Sequence, residues 1–170
     1  MRVISFYNDI DGHTFYSDHA RRLIRQCSEV GIDCSILPRN YGTDWISNER
    51  GKAQFILEMF DATNETLIWL DVDCDILAFP TFDVGADWGY CLRHDGKPCD
   101  FVHYIEHTEG NRYFLLKWVE EIERCGKGSH TAFINIHDTN HAFVIPDGYF
   151  NLVLSETKSK TDYLTKQESI

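Results

Sequence analysis

The residues that invite chemistry lie in "TLIWLDVDCDILAFP", residues 66 to 80, where an apolar run breaks into Asp71, Asp73 and Asp75 before Pro80. In an extended strand side chains alternate with a period of two, so these acids are expected on one side of the chain if the backbone stays extended. Like charges held together repel unless something positive sits between them. A divalent cation carrying a phosphate ligand resolves this most simply, because Mg²⁺ or Mn²⁺ is usually held by one or two carboxylates plus substrate phosphates. The alternative is a solvated loop end after a core strand, which a lone D-x-D would favour. Trp69 and Leu70 directly before the acids, and Pro80 after them, favour a site.

Other motifs compete for the same residues. An EF-hand loop starting at Asp71 needs glycine at its sixth position and glutamate at its twelfth, and Ile76 and Phe82 stand there. An aspartyl-nucleophile phosphatase also places D-x-D after an apolar strand, but that strand usually comes first in the domain. "HYIEH", His103 to His107, matches the H-x-x-E-H pattern of inverted zinc peptidases. That chemistry needs both histidines on one helical turn, whereas "CDFVHYIEHTEG" is rich in β-formers.

The elements that must position these residues follow from periodicity. Val3 to Tyr7 reads as a strand, and Ala20, Leu23, Ile24, Cys27 and Val30 recur at helical spacing until Gly31. "DCSIL" is the next strand. Asn48 is the expected cap of a second helix carrying Ala53, Ile56, Leu57 and Phe60, and Thr66 to Leu70 suits a strand covered on both faces. This β-α-β-α-β order implies an α/β fold with a parallel, doubly wound sheet, whose ligands bind beyond the carboxyl ends of the strands. In the second half, "WGYCLRH" and "CDFVHYI" alternate like strands, and "YFLLKWVEEIERCG" is an amphipathic helix with Phe114, Trp118 and Ile122 on one stripe and Gly126 at its end. "HTAFINI" and "HAFVIPDGYFNLV" complete the core. Residues 1 to 154 are expected to form one domain, and 155 to 170 a polar, loosely attached tail.

Composition narrows the class. With 170 residues, 43% hydrophobic and 14% aromatic, the chain can build a full core. The opening "MRVISFYNDIDG" does not read as a signal peptide, and no apolar run approaches a membrane span, so a cytoplasmic protein is expected. Its six cysteines include no C-x-x-C pair and are expected reduced. A net charge of -11 disfavours nucleic acid and anionic membrane at long range, although Arg21, Arg22 and Arg25 could bind phosphate locally.

Taken together, Val3 to Tyr7, Tyr16, Trp45, Asn48, "KAQFILEMF" from Lys52, "LIWLDVD" and Pro80 resemble the GT-A fold glycosyltransferases, the nucleotide-diphospho-sugar transferases. That family follows its first strand with a tyrosine-led helix, then Trp, Asn, a Lys-led helix and an apolar strand ending in D-x-D before a proline. The second half is similar more weakly, through Trp118, His130-Thr131 and "IPDGYFN" from Ile145 to Asn151. The resemblance covers roughly residues 1 to 153. It departs from the family at His130-Thr131, which replaces an acid-amide pair, and in lacking a late His that some members use as a third metal ligand.

The resemblance implies a GT-A, Rossmann-like single domain with a central, mostly parallel, mixed sheet flanked by helices. It implies transfer of a sugar from a nucleotide sugar, UDP-linked by family analogy, with Mn²⁺ or Mg²⁺ as cofactor. Asp71 would contact the ribose or the metal and Asp73 would ligate the metal, with Asp75 and His130 near the sugar. Tyr7 would stack on the base and Asp9 would bond the nucleoside; their plainer reading is a core aromatic and a turn acid. Lys52 could pair with the diphosphate or with Asp71, or be a solvated first-turn lysine, and Arg50 has the same ambiguity. Inverting transfer needs a general base, for which Asp100, Glu106, His103 and His107 are candidates and Asp100 fits best.

The acceptor is open between glycan, protein and modified DNA. The small size resembles compact enzymes of bacteria, large viruses and phages, in the last of which hydroxymethylated DNA would be an acceptor and the host cytoplasm the location. A non-catalytic nucleotide-sugar binding module, and a phosphatase or nucleotidyltransferase on a related sheet, are the competing readings.

Overall fold

The computed structural model describes residues 1–9, 12–81, 86–93, 96–137, 142–146 and 149–152. The expected boundary at 154, the tail, and Asp147 and Gly148 of the "IPDGYFN" segment lie outside the described residues. The chain runs β1 (Arg2–Tyr7), α1 (Phe15–Val30), β2 (Asp33–Pro38), α2 (Trp45–Asp61), β3 (Leu67–Leu70), β4 (Cys74–Ile76), β5 (Trp88–Leu92), β6 (Pro98–Ile105), α3 (Glu109–Cys125), α4 (Ser129–Ile136), β7 (Ala142–Val144) and β8 (Phe150–Leu152).

The main sheet has the order β2-β1-β3-β6-β5-β7, and β4 pairs with β8 in a separate ribbon. The strands β2, β1 and β3 are mutually parallel, as the alternation of elements implied. β6 runs antiparallel to both β3 and β5, and β7 pairs parallel with β5, so the sheet is mixed but mostly parallel.

Each face has its own core. Leu67 and Trp69 of β3 pack with α2, α3 and α4, while Ile68 and Leu70 pack with α1 and the β4 side, which is why all four residues of this strand are apolar. The ends of α1 and α3 fall at Gly31 and Gly126, whose φ values of 73° and 64° are left-handed positions open to glycine at little cost. The six cysteines are free thiols.

Two local expectations are corrected. Asp44, not Asn48, caps α2, accepting the Ser47 N–H at 2.8 Å. Asn48 lies inside the helix, where its amide donates to the Gly42 and Asp44 carbonyls and accepts from Tyr41 N–H and Asn8 Nδ2. It therefore ties the preceding loop to β1 instead of starting the helix.

The second correction concerns the carboxylates. The backbone does not stay extended after Leu70: Cys74 N–H bonds the Asp71 carbonyl at 2.8 Å, closing a turn that sends β4 toward β8. Asp75 consequently points away from Asp71 and Asp73. Its carboxylate accepts from Gln26 Nε2 at 2.7 Å and pairs with Arg22 at 3.0 Å, both on α1.

Candidate active site

The parallel strands β1 and β3 both end at one rim of the sheet, where open α/β folds place ligands. A cavity of about 140 Å³ opens there, with Phe6, Tyr7 and Asn8 from the end of β1, Trp69, Asp71, Val72 and Asp73 around the end of β3, and Tyr16 and Trp45 from the starts of two helices. Asn48, Glu49 and Lys52 of α2 complete the lining, their spacing of three and four residues setting them on one helical face. The pocket is thus lined by aromatic and by charged side chains.

Lys52 is the centre of the charged groups. Its side chain is 6% exposed, and Nζ lies 2.9 Å from Asp71 Oδ1 and 3.0 Å from Asp100 Oδ2. It also donates to the Asp100 carbonyl at 3.1 Å. Burial works against its charge, but Asp100 and Asp71 outweigh burial and hold the ammonium above its usual range. Asp71 also accepts from Trp69 Nε1 at 3.0 Å. Burial, helped by Asp100 and Asp73, pushes its carboxyl up against the pull of Lys52.

Asp100 reaches the site through a defect in the sheet. Pairing of β5 with β6 jumps from Tyr90–His103 to Cys91–Cys99, so residues 100 to 102 bulge out of that ladder. Bulges of this kind re-aim side chains at the rims of sheets. The Phe101 carbonyl accepts Asp71 N–H at 2.8 Å on the β3 side of β6, which ties the bulge to the carboxylate turn. Burial would raise the Asp100 carboxyl, but Lys52 and His130 more than offset it and hold it well below the usual carboxylate range. His130 Nδ1 is 3.1 Å from Asp100 Oδ1.

Glu49 fixes His130 from the other side. Its carboxylate accepts the Ser129 and His130 N–H groups at 2.7 and 3.0 Å, taking up the free donors at the start of α4. Sequence reasoning missed Glu49. Its one signal was its position a helical turn before Lys52.

The expected site residues therefore divide. Tyr7, Lys52, Asp71 and Asp73 line the pocket; Asp100 joins it through Lys52, and His130 through Asp100. Three are elsewhere. Asp9 accepts the Tyr16 and Ser17 N–H groups and so caps α1. Arg50 donates to the Gly126 and Lys127 carbonyls at the end of α3. Asp75 is held by α1. Each short polar or charged side chain found a backbone or ionic partner closer than the pocket.

The remaining base candidates are also placed. His103 is fully buried among the rings of Trp88, Trp118 and Phe133, and burial lowers its pKa to about 3. His107 bonds the Phe60 carbonyl at 3.0 Å and stacks on the Phe60 ring. Glu106 accepts the Tyr104 hydroxyl, beyond the far end of β6 from Asp100. The "HYIEH" segment is strand and loop, not one helical turn, and its histidines serve packing.

Among the described residues, two sets of side chains could hold a cation. Asp71 and Asp73 offer carboxylate oxygens to the pocket; Lys52 and Trp69 both bond Asp71 Oδ1, leaving Oδ2 for a ligand. This all-oxygen set fits Mg²⁺ or Mn²⁺. Cys99, Asp100 and His130 form the other, with one donor atom each inside 4.8 Å of one another.

No family model and no curated protein matches the sequence. Solved structures match the fold. The fold is similar to a glycosyltransferase involved in the glycosylation of the major capsid of PBCV-1, with a TM-score of 0.67, 11% identity and 99% of each chain covered. It is also similar to the glycosyltransferase GlyE of Streptococcus pneumoniae TIGR4, with a TM-score of 0.60 and 12% identity over 86% of this chain. This chain spans 45% of the GlyE chain.

Proposed function

We propose that this chain, which has the GT-A glycosyltransferase fold, transfers a sugar from a nucleoside diphosphate donor, UDP-linked in the first instance, to an acceptor hydroxyl. The observation that carries this reading is the pocket at the ends of β1 and β3, lined by aromatic rings and by two carboxylates, of which Asp71 is braced by a buried lysine. A nucleotide sugar has the matching parts, a flat base and an anionic diphosphate.

Tyr7, Tyr16 and Trp45 supply faces on which a base stacks. Asp71 and Asp73 would hold Mn²⁺ or Mg²⁺. When bound, that ion supplies the positive charge that offsets the departing diphosphate. Lys52 keeps Asp71 ionised and fixed in place, so the carboxylate is oriented before any ligand arrives.

Asp100 is the base expected from the sequence, and its surroundings change that role. A carboxylate stabilised by Lys52 and His130 well below its usual range is a weak proton acceptor. With Nδ1 turned to Asp100, His130 presents Nε2 as the acceptor instead, and Asp100 orients the imidazole and balances the charge it gains. In an inverting transfer this pair takes the acceptor's proton.

The test is thermal unfolding with UDP, GDP, TDP and CDP, each with and without Mn²⁺, on the wild type and Asp73→Asn. A nucleotide at about a hundred times its dissociation constant adds roughly 2.7 kcal/mol. Metal-dependent stabilisation by one nucleotide, lost in Asp73→Asn, supports the reading, and the absence of any shift in the wild type removes it. Product identity then separates classes: free nucleoside diphosphate for a glycosyltransferase, pyrophosphate or phosphate for a nucleotidyltransferase or phosphatase. For the acceptor, a steep fall of binding with salt would point to modified DNA, against which the charge of -11 weighs.

A further inference from the structure

Cys99 and Asp100 sit at the start of β6, and His130 sits in the first turn of α4. Their donor atoms gather within 4.8 Å although they come from two elements 30 residues apart, because the bulge in β6 and the Glu49 clamp on α4 converge there. The donors are a sulfur, an oxygen and a nitrogen, the mixture that suits a borderline-soft divalent ion and not Mg²⁺.

We propose that Cys99, Asp100 and His130 form a second cation site, distinct from Asp71 and Asp73, that takes Zn²⁺ in preference to Mg²⁺ and leaves a fourth position open. Tetrahedral bonds of about 2.0–2.3 Å set neighbouring donors roughly 3.3–3.7 Å apart. Asp100 Oδ1 and His130 Nδ1 stand at 3.1 Å already. The widest separation, up to 4.8 Å, has to close by about 1 Å. Lys52 on Asp100 Oδ2 is the kind of hydrogen-bonded support that ligating carboxylates carry. Binding displaces the thiol proton of Cys99 to solvent as the sulfur–metal bond forms, and the Nδ1 proton of His130 where that nitrogen ligates. An ion there occupies Asp100 and His130, so Zn²⁺ inhibits sugar transfer; that consequence rests on the proposed function, whereas the site does not.

The experiment is a Co²⁺ titration of the full chain in excess Mg²⁺, followed by absorption. The expected result is a thiolate-to-cobalt charge-transfer band with intense tetrahedral visible bands, displaced by Zn²⁺. The bands disappear in Cys99→Ser, binding weakens at least about tenfold in His130→Gln, and both persist in Asp73→Asn. His130 is 31% exposed, so His130→Gln carries the test if Cys99→Ser fails to fold by circular dichroism. A thiolate band that survives both variants belongs to another cysteine and overturns the proposal. Cobalt binding that lacks a thiolate band and depends on Asp73 also overturns it, while leaving the donor site intact. No binding at all overturns it as well, and the nucleotide-dependent unfolding shift reports separately on the glycosyltransferase reading.

Discussion

With its N–H groups divided between Asp71 Oδ1, Asp100 Oδ2 and the Asp100 carbonyl, Lys52 has no donor left for a diphosphate. It acts on a ligand through the carboxylates that it holds. Lys52→Met leaves Asp71 without its ammonium and Asp100 with His130 alone, and removal of one partner from a buried ionic cluster costs about 3–5 kcal/mol. Urea denaturation measures that loss, and the nucleotide- and metal-dependent shift is expected to disappear with it. Asp75→Asn is the contrasting variant. Its partners are Arg22 and Gln26 on α1, so the nucleotide-dependent shift is expected to stay within error of the wild type in the same unfolding assay.

At the scale of elements, the position of α4 depends on a glycine that allows close approach. A Cβ built on Gly128 would lie 1.9 Å from Glu49 Oε2, so any larger residue pushes that carboxylate off the start of the helix. Gly128 has φ of -68°, which alanine adopts freely, and the clash is therefore the whole effect. Gly128→Ala is expected to cost about 1–3 kcal/mol through the displaced hydrogen bonds. It also loosens His130 from Asp100. The check is the His130 imidazole resonances by NMR, which should move in Gly128→Ala and remain in place in a surface control such as Glu120→Gln.

For the molecule as a whole, the titration of His103 ties stability to pH. Its pKa of about 3 when folded lies below the ordinary 6.5, so the unfolded chain binds a proton in this window and the native core does not. The contribution of His103 is complete above pH 6.5 and falls by about 1.4 kcal/mol per unit as pH drops toward 3. Asp71 works in the opposite sense. Its folded pKa is raised to about 6 from an ordinary 3.8, so its contribution is lost as pH rises through that range. Comparing wild type with His103→Phe by urea denaturation between pH 4 and 6.5 cancels Asp71, and the variant is expected to show the shallower loss in acid. Equal slopes would mean that His103 titrates normally in the native state.

The sequence by itself determined the parts that depend on local periodicity and backbone chemistry. The β-α-β-α-β order, the double-faced strand at Thr66 to Leu70 and the glycine stops at Gly31 and Gly126 follow from patterns a few residues long, and the structure has each of them. The D-x-D was legible for the same reason: acids directly after a buried strand have only the rim of the sheet to occupy. What the tertiary structure alone decided was which charged groups meet. Asp9, Arg50 and Asp75 had the right residue types, yet each is held by partners on another element or at a helix end. Lys52, Asp100, His130 and Glu49 converge from positions 49 to 130 through the bulge in β6 and the docking of α4 on α2. Period and propensity act over one or two turns, whereas an ion pair forms wherever packing leaves opposite charges within about 4 Å, and that distance is set by the whole fold.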